Sequence, residues 1–250
     1  ANSGSILDPV RKWVFKSSQT HRMACNTILN DMQRRGIEFL AIISGDNGFA
    51  STTRKHCIEV AKIRGISVIA DEIYRSQTRK VFEPLKRIKL RKKVQGVLNI
   101  DFGSSPAYVT RDFRKLKFNV PLYQTHGVAT LDYLDFSGAA SEGVRLAVPP
   151  IVIADKLSDN DPIKPILLDY IKLYQTRWNV APSVYGSYAF DAIMIYASAV
   201  RRARSFDRAQ IRQALEKTNN YFGANGLVKM STEDHMGLHF EAFRMVEVQN

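Results

Sequence analysis

Three polar, glycine-containing segments hold the residues of this sequence that are best suited to bind a ligand. They are Phe102–Pro106, Tyr123–Thr130 and Met230–Leu238. Each is placed where an apolar, strand-like run ends, and in an open α/β sheet ligands bind at the ends of the strands. His126 in the second segment can donate to a carboxylate or phenolic oxygen of a ligand, or bond to nearby backbone within its own turn. The pattern favours small-molecule binding over catalysis.

Aromatic residues near the same segments provide candidate walls for such a binding site. Phe49 follows the first predicted strand, Phe102 follows the third, and Tyr185 and Tyr188 lie further along the chain. Ligand pockets are lined mainly by apolar and aromatic side chains with a few polar groups among them. Any one of these rings could belong to a hydrophobic core, but together with His126 they indicate a binding cleft.

Enzyme and metal signatures are absent from the sequence. No nucleophile elbow, Walker loop, HExxH or CxxC motif occurs. The segment Gly45–Gly48 lacks the glycines of a dinucleotide-binding loop. Acidic residues near predicted strand or turn ends are interpreted as caps or turn residues: Asp46, Asp101 and Asp135. The histidines are dispersed, at positions 21, 56, 126, 235 and 239. The sequence therefore predicts no enzyme, no cofactor and no metal site.

The basic balance of the chain does not by itself indicate nucleic acid. Its formal net charge is +12, and the one dense run of cations is Lys86–Lys93. This run lies where a helix is predicted to end, and cations there complement the helix dipole. We interpret it as a solvated helix end. No apolar run approaches the ~20 residues that span a bilayer, and a secretory leader is either absent from the start or already removed.

The two cysteines leave two alternatives. Cys25 and Cys57 fall on consecutive predicted helices, without the spacing of metal ligands. A single bridge between them is one alternative. Two unpaired, buried thiols are the favoured one.

Strand-like and helical segments alternate over the first part of the chain. Apolar runs recur about every 28 residues, the length of a βαβ unit, at Phe39–Ile43, Ile66–Ala70, Gly96–Ile100 and Val120–Tyr123. Continuous apolar runs are typical of strands buried on both faces of a parallel sheet. Amphipathic helices are predicted between and beside them, at Thr20–Arg35, Ala50–Arg64, Lys80–Arg91 and Ser105–Lys117. The region 13–140 is thus predicted to be a doubly wound α/β layer.

In the later region, helices and strands no longer alternate regularly. Helices are predicted at Ile166–Trp178, Val184–Arg204 and Asp207–Thr218, and strands at Gly143–Val148, Leu227–Met230 and Phe240–Val248. Three helices with so few strands indicate part of a domain whose remaining strands lie outside this sequence.

Over nearly its whole length the sequence resembles the type I periplasmic binding proteins. Within them it is most similar to the solute-binding subunits of branched-chain amino-acid ABC transporters. The resemblance rests on the order and spacing of several short motifs. They are Arg11–Lys16, Asp46–Ala50, Gly103–Ala107, Tyr123–Ala129, Ser141–Val144, Tyr185–Ala192 and Met230–Leu238.

The resemblance implies an α/β fold of two Rossmann-like lobes with parallel sheets, joined by three hinge crossings. Lobe two would comprise residues 13–140. Residues 1–12 and 141–226 would form the remaining part of lobe one, which would be incomplete at its N-terminal side. Residues 227–250 would return to lobe two.

The resemblance also implies a site and its partners. Ser3 and Ser5 would hold a ligand carboxylate, and the other implied ligand contacts are Phe49, Phe102, Gly103, Ser104, His126 and Tyr185. The ligand would be a small carboxylate or an amino acid, trapped by hinge closure. A membrane ABC permease would receive it, in the periplasm or at the cell exterior. No nucleic acid is expected, and whether two chains form a homodimer is left open.

One departure from the family pattern affects the choice of ligand. Amino-acid binders of the family tend to carry an acidic residue at the position of His126, where it pairs with the α-ammonium of the ligand. An imidazole cannot make that ion pair. We therefore expect a ligand without an α-amino group, such as an aromatic or aliphatic carboxylate. A sensing receptor without a transporter, and a paralogue that no longer binds ligand, are the alternative functions.

Overall fold

The computed structural model describes residues 6–239 and 242–249 of the chain. They form two compact units, between which the chain passes three times. The helical unit comprises Ala1–Thr20 with Pro149–Phe243, and the sheet unit comprises His21–Val148 with Arg244–Asn250. The predicted lobes follow one another in the same order along the chain, but their boundaries were placed at residues 13, 141 and 227. The sheet unit extends to Val148 because the strand ending there pairs within the sheet.

The described residues form eight α-helices and eight strands. The helices are α1 His21–Arg34, α2 Gly48–Ile63, α3 Phe82–Lys89, α4 Ser105–Lys115, α5 Leu131–Ser137, α6 Lys164–Trp178, α7 Val184–Ala203 and α8 Arg208–Glu216. The strands are β1 Phe39–Gly45, β2 Ser67–Tyr74, β3 Gly96–Ile100, β4 Leu122–Gln124, β5 Arg145–Val148, β6 Tyr221–Gly223, β7 Gly226–Val228 and β8 Arg244–Glu247.

A six-stranded sheet in the order β2-β1-β3-β4-β5-β8 organises the sheet unit. Strands β1 to β5 are parallel, and β8 is antiparallel to β5 at one edge. The predicted α/β fold with a mostly parallel sheet is therefore confirmed. All of β3 is buried, as its apolar run predicted. All of β2 except Tyr74 is half-buried or exposed because the strand forms the other edge, and its Asp71 and Glu72 form ion pairs with arginines.

Glycines end the first two helices of the sheet unit where the sequence predicted. Gly36 and Gly65 have φ angles of 72° and 71°. Glycine adopts this left-handed region without steric cost, which makes it the usual residue after a helix. The third helix, α3, ends in the basic run. Its Lys86 and Arg87 pair with Glu83 and Glu72 and are exposed, so the prediction of a solvated helix end is confirmed.

The two cysteines form a disulfide bond between α1 and α2. The favoured prediction of two unpaired thiols is wrong. Both residues are fully buried, because α1 and α2 pack against each other beside β1. Spacing alone gave no signal for this contact, since it depends on which helix faces meet.

The helical unit contains α6, α7 and α8 and a short antiparallel hairpin of β6 and β7. Its core includes Leu167 and Tyr170 of α6, packed against Ile151, Ala154 and Ala224. The buried carboxylate of Asp191 in α7 accepts from the backbone N–H groups of Ala224 and Asn225, at 2.7 and 2.9 Å. These bonds hold the hairpin turn onto α7. The prediction of three helices with few strands holds for the described part of this unit.

Within the described residues, no helix combines the length and apolar character needed to cross a membrane.

Candidate ligand-binding site

The carboxyl edge of the parallel sheet carries the candidate site of the sheet unit. Strands β1, β3 and β4 are neighbours in the sheet and run in the same direction. Their C-terminal loops therefore meet at one edge, which is where open α/β sheets bind ligands. Asn47 to Phe49 follow β1, Asp101 to Ser104 follow β3, and Thr125 to Gly127 follow β4.

Four rings from this edge form one cluster. The Phe49 ring lies 5.6 Å from that of Phe102 and 5.3 Å from the imidazole of His126, measured between ring centroids. The imidazole of His21 lies 5.0 Å from Phe49 and 5.5 Å from His126. We call these four residues the aromatic–imidazole cluster. Phe102 is 48% exposed, so the cluster offers an apolar surface at the sheet edge, beside the two imidazoles.

The turn that carries His126 depends on the small residue after it. A Cβ atom at Gly127 would lie 2.4 Å from the backbone oxygen of Asp101 and 3.0 Å from the Phe49 ring. Only glycine therefore lets the loop after β4 approach the loops after β1 and β3 this closely. His126 begins a single 3-10 turn, His126–Val128, directly after Thr125. This geometry places its imidazole against Phe49.

A buried carboxylate ties the loops of the edge together. Asp101 directly follows β3 and is fully buried. Its Oδ1 accepts from Asn47 Nδ2 at 2.5 Å and from the backbone N–H of Phe102 at 2.9 Å. Its Oδ2 accepts from the Ser76 hydroxyl at 3.4 Å. Burial raises the pKa of Asp101, although these hydrogen bonds act in the opposite direction. Asp101 therefore fixes loop geometry.

Asp46 has the turn role that the sequence predicted, and the neighbouring Asn47 is a helix cap. The same prediction is wrong for Asp135, which lies inside α5. Asn47 is the N-cap of α2 and accepts from the backbone N–H of Ala50 at 2.9 Å. Asp46 accepts from the backbone N–H of Ser76 at 2.8 Å. Both side chains thus accept hydrogen bonds from backbone N–H groups. These bonds fix the start of α2 and with it the position of Phe49 in its first turn.

The predicted site residues are distributed over both units. Phe49, Phe102 and His126 are in contact within the cluster. Gly103, with a φ angle of 76°, and Ser104 continue the loop from Phe102 to the start of α4. Ser3 and Ser5 lie outside the described residues.

Tyr185 belongs to the helical unit. It lies in the first turn of α7, is 73% exposed, and its ring is 6.3 Å from that of Tyr188, edge to face.

His21 is the cluster member that the sequence analysis missed, because it was counted only among dispersed histidines. It is the first residue of α1. A helix that leads into a parallel strand starts at the carboxyl edge of the sheet. The position of His21 at the start of a predicted helix could therefore have placed it at this edge. Thr53 Oγ1 donates to the Phe49 carbonyl at 2.7 Å and lies 3.0 Å from His21 Nδ1. The Nδ1 of His21 is therefore within hydrogen-bond distance of a residue of α2.

The family profile described as Periplasmic binding protein matches residues 2–250 of the sequence. The chain therefore belongs to the periplasmic binding protein family. The structure adds that its fold is that of the type I members, as the sequence resemblance implied. Members of this family are solute-binding receptors rather than enzymes. They bind small molecules and work with ABC permeases, and a periplasmic or extracellular location fits them.

Several solved structures share the fold over nearly the whole chain. An extracellular ligand-binding receptor from Rhodopseudomonas palustris HaA2 superimposes with a TM-score of 0.88 and 21% identity, covering 100% of this chain and 72% of its own. A type 1 periplasmic binding protein from Bordetella pertussis Tohama I superimposes with a TM-score of 0.79 and 20% identity. The match covers 95% of this chain and 65% of that protein. A branched-chain amino acid ABC transporter from Thermus thermophilus with bound valine superimposes with a TM-score of 0.76 and 17% identity. The match covers 100% of this chain and 68% of that protein.

Among curated proteins, none matches this sequence.

Proposed function

We propose that this receptor captures a small aromatic or aliphatic carboxylate that lacks an α-amino group, for delivery to an ABC permease. The observation that carries the proposal is the placement of His126 in the aromatic–imidazole cluster. The imidazole lies at the sheet edge, against Phe49 and close to His21. At the corresponding position, amino-acid binders of this family tend to have a carboxylate.

The chemistry of the edge disfavours an α-ammonium group. An ammonium needs acceptors, preferably anionic ones, whereas a neutral imidazole offers one lone pair and a protonated one offers none. The carboxylates at this edge, Asp46 and Asp101, accept hydrogen bonds from loop groups instead. A ligand carboxylate, in contrast, can accept an N–H of His126.

The rings of the cluster suit an apolar ligand body. Phe49 and Phe102 meet edge to face at 5.6 Å, and Phe102 is half-exposed. Aromatic side chains contribute large apolar contact area at little cost in side-chain entropy. This supports an aromatic or aliphatic acid in preference to a polar one. Ser3, Ser5, Gly103, Ser104 and Tyr185 remain predicted ligand contacts.

Transport is the second part of the proposal. The sheet unit would correspond to lobe two and the helical unit to part of lobe one, with the three chain passages as hinges. Ligand binding would favour a closed arrangement that a membrane permease recognises, in the periplasm or at the cell exterior. The family's work with ABC permeases supports this part.

A thermal-unfolding panel tests the proposed ligand class. Benzoate, hexanoate and leucine are each added to the wild-type chain and to His126→Glu. A ligand at 100 times its dissociation constant adds about 2.7 kcal/mol of stability. We expect wild type to be stabilised by benzoate or hexanoate and not by leucine. Stabilisation of wild type by leucine alone, or by none of the three, would refute the proposal.

A further inference from the structure

The edge of the sheet opposite the candidate site is strongly basic. Helices α1 to α4 each lead into a parallel strand, so their C-terminal ends lie at the amino edge of the sheet. From the last turn of each helix to the next strand, the chain has thirteen lysines and arginines and three acids, within residues 31–38, 60–66, 86–95 and 112–121. These four segments, which we call the basic edge, thus carry a net charge of +10 out of the +12 of the whole chain.

Helix stability explains only part of this charge. The loops at the carboxyl edge of the same sheet have three cations and two acids, within residues 46–47, 75–81, 101–104 and 125–130. A cation near the C-terminus of a helix complements the helix dipole, but the effect is confined to the last turn. Arg91, Lys92 and Lys93 lie beyond the end of α3 at Lys89. Their charge therefore needs a reason other than the helix.

The four segments of the basic edge form one continuous surface. The Gln95 side chain, before β3, accepts from the backbone N–H of Glu38, before β1, at 2.7 Å. Arg64 at the end of α2 donates to side chains of α1. Lys89 at the end of α3 donates to the carbonyl of Lys117, after α4, at 3.3 Å. The cations of all four helix ends therefore face the same surroundings.

Many of these cations have no anionic partner in the protein. Some are paired, as Lys86 is with Glu83 at 2.9 Å. Others are exposed and form no ion pair within the described residues: Lys62, Arg91, Lys92, Lys93 and Lys117. Such a group of like charges repels itself unless an external anion neutralises it. The basic edge thus fits a partner with many negative charges.

Two aliphatic side chains among the cations indicate what kind of anion this partner carries. Ile63 at the end of α2 is 73% exposed, and Leu90 directly after α3 is 79% exposed. Each stands between two cations in the sequence. On surfaces that bind anionic bilayers, cations meet the lipid headgroups and neighbouring apolar side chains enter the acyl boundary. A nucleic acid backbone offers no such contact to an aliphatic side chain.

We propose that the basic edge docks this receptor onto a bilayer that contains anionic lipid. Phosphate groups of the lipid would neutralise the unpaired cations, and Leu90 and Ile63 would contact the acyl chains. The carboxyl edge of the sheet, with the aromatic–imidazole cluster, would then face away from the bilayer and stay open to ligand. The proposal does not depend on which ligand the receptor binds, so its test uses no ligand.

Co-sedimentation with lipid vesicles tests this docking surface directly. One set of vesicles contains phosphatidylcholine alone, and the other contains phosphatidylcholine with about 30% phosphatidylglycerol, an anionic lipid. We expect the chain to bind the anionic vesicles at least tenfold more tightly than the neutral ones in about 0.1 M salt. Raising the salt to about 0.5 M should weaken that binding at least tenfold, because screening shortens the range of the attraction.

Substitutions then locate the surface. Each cation near an anionic bilayer strengthens binding about fivefold, so Arg91→Gln, Lys92→Gln and Lys93→Gln combined should weaken vesicle binding at least tenfold. Leu90→Ser should weaken it at least twofold, as its apolar contact is lost. The matched control combines three substitutions that remove the same charge from exposed positions of the helical unit and should change binding less than twofold: Lys172→Gln, Arg201→Gln and Arg204→Gln.

The outcomes separate a bilayer from other polyanions. Equal binding of wild type to anionic and neutral vesicles would overturn the proposal, as would equal binding of wild type and the triple variant at positions 91 to 93. Fluorescence anisotropy with a short DNA duplex supplies the remaining comparison. Binding of the duplex more tightly than the anionic vesicles would overturn the proposal in favour of a nucleic acid partner.

Discussion

The imidazole of His126 packs against the ring of Phe49, with centroids 5.3 Å apart and planes inclined by 58°. The two residues follow different strands, β4 and β1, and are 77 positions apart in the sequence. They meet because β1 and β4, which lie on either side of β3 in the sheet, run parallel. Their C-terminal loops therefore lie at the same edge of the sheet. This contact fixes the position of the imidazole on which the proposed choice of ligand depends.

Replacing Phe49 tests the role of the cluster as a ligand wall. Phe49→Ala removes a ring that contacts His21, Phe102 and His126. Since the ring is only partly buried, we expect a loss of roughly 2 kcal/mol of stability, less than for a fully buried ring. Affinity for the bound carboxylate should fall at least tenfold in calorimetric titration, as one aromatic contact of about 1.4 kcal/mol is lost. Phe49→Tyr keeps the ring and should bind nearly as wild type. If it lost as much affinity as Phe49→Ala, the wall assignment would be wrong.

The disulfide bond should stabilise the sheet unit. It joins residues separated by 32 positions, and closing a loop of that length restricts the unfolded chain by roughly 3 to 4 kcal/mol. Cys25→Ala with Cys57→Ala should lower the free energy of unfolding by about that amount in urea titrations. Reductant should destabilise wild type to the same extent and leave the double variant unchanged. A double variant as stable as oxidised wild type would contradict this prediction.

Much of this architecture can be predicted from the sequence, because apolar runs and glycine stops are local signals. The runs at Phe39 and Gly96 gave β1 and β3, and Gly36 and Gly65 gave the helix ends. The helix α5 was not predicted, since its seven residues carry no clear periodic pattern. The contact between Cys25 and Cys57 was missed because it depends on how two helices pack.

The candidate site could be predicted less completely than the fold. Phe49, Phe102 and His126 were identified because they follow predicted strands. His21 was not, because it precedes a strand by the length of a helix and only the topology returns it to the same edge. Asp101 was expected to be a turn residue, but its burial and its bonds to two other loops follow from tertiary packing alone.

Asp31 should give the sheet unit an acid-sensitive stability. It is buried in α1 and accepts from Tyr123 Oη and Arg145 Nε, each at 2.9 Å. Burial acts to raise the pKa of Asp31, but the hydrogen bonds from Arg145 and Tyr123 and the charges of Arg145 and Arg35 outweigh it and hold that pKa below its ordinary value. Because the folded-state pKa is the lower one, the stabilisation is complete above the unfolded-state value of about 3.9 and is lost as the pH falls below it.

Asp31→Asn is the variant that measures this contribution. It should cost about 2 kcal/mol at pH 7, because the half-buried Arg145 loses the charge-assisted hydrogen bonds to Asp31 and keeps only its pair with Glu247. Its stability should also change less than that of wild type in urea titrations as the pH falls from 5 to 2, through and below the unfolded-state pKa. Asp135→Asn, an exposed acid of the same unit, should leave the acid profile of wild type intact. A wild-type stability that rises on acidification through this range would contradict the assignment.

The most direct test of ligand choice compares two acids that differ only in the α-amino group. Calorimetric titrations of wild type, His126→Glu and His126→Gln with leucine and 4-methylpentanoate, and with phenylalanine and 3-phenylpropanoate, supply that comparison. A hydrogen bond to a charged group contributes about 1.5 to 3 kcal/mol. We therefore predict that wild type binds a des-amino acid at least tenfold more tightly than its amino-acid counterpart. His126→Glu should reverse the preference and His126→Gln should not. Wild type binding leucine or phenylalanine more tightly than the matching des-amino acid would contradict the account.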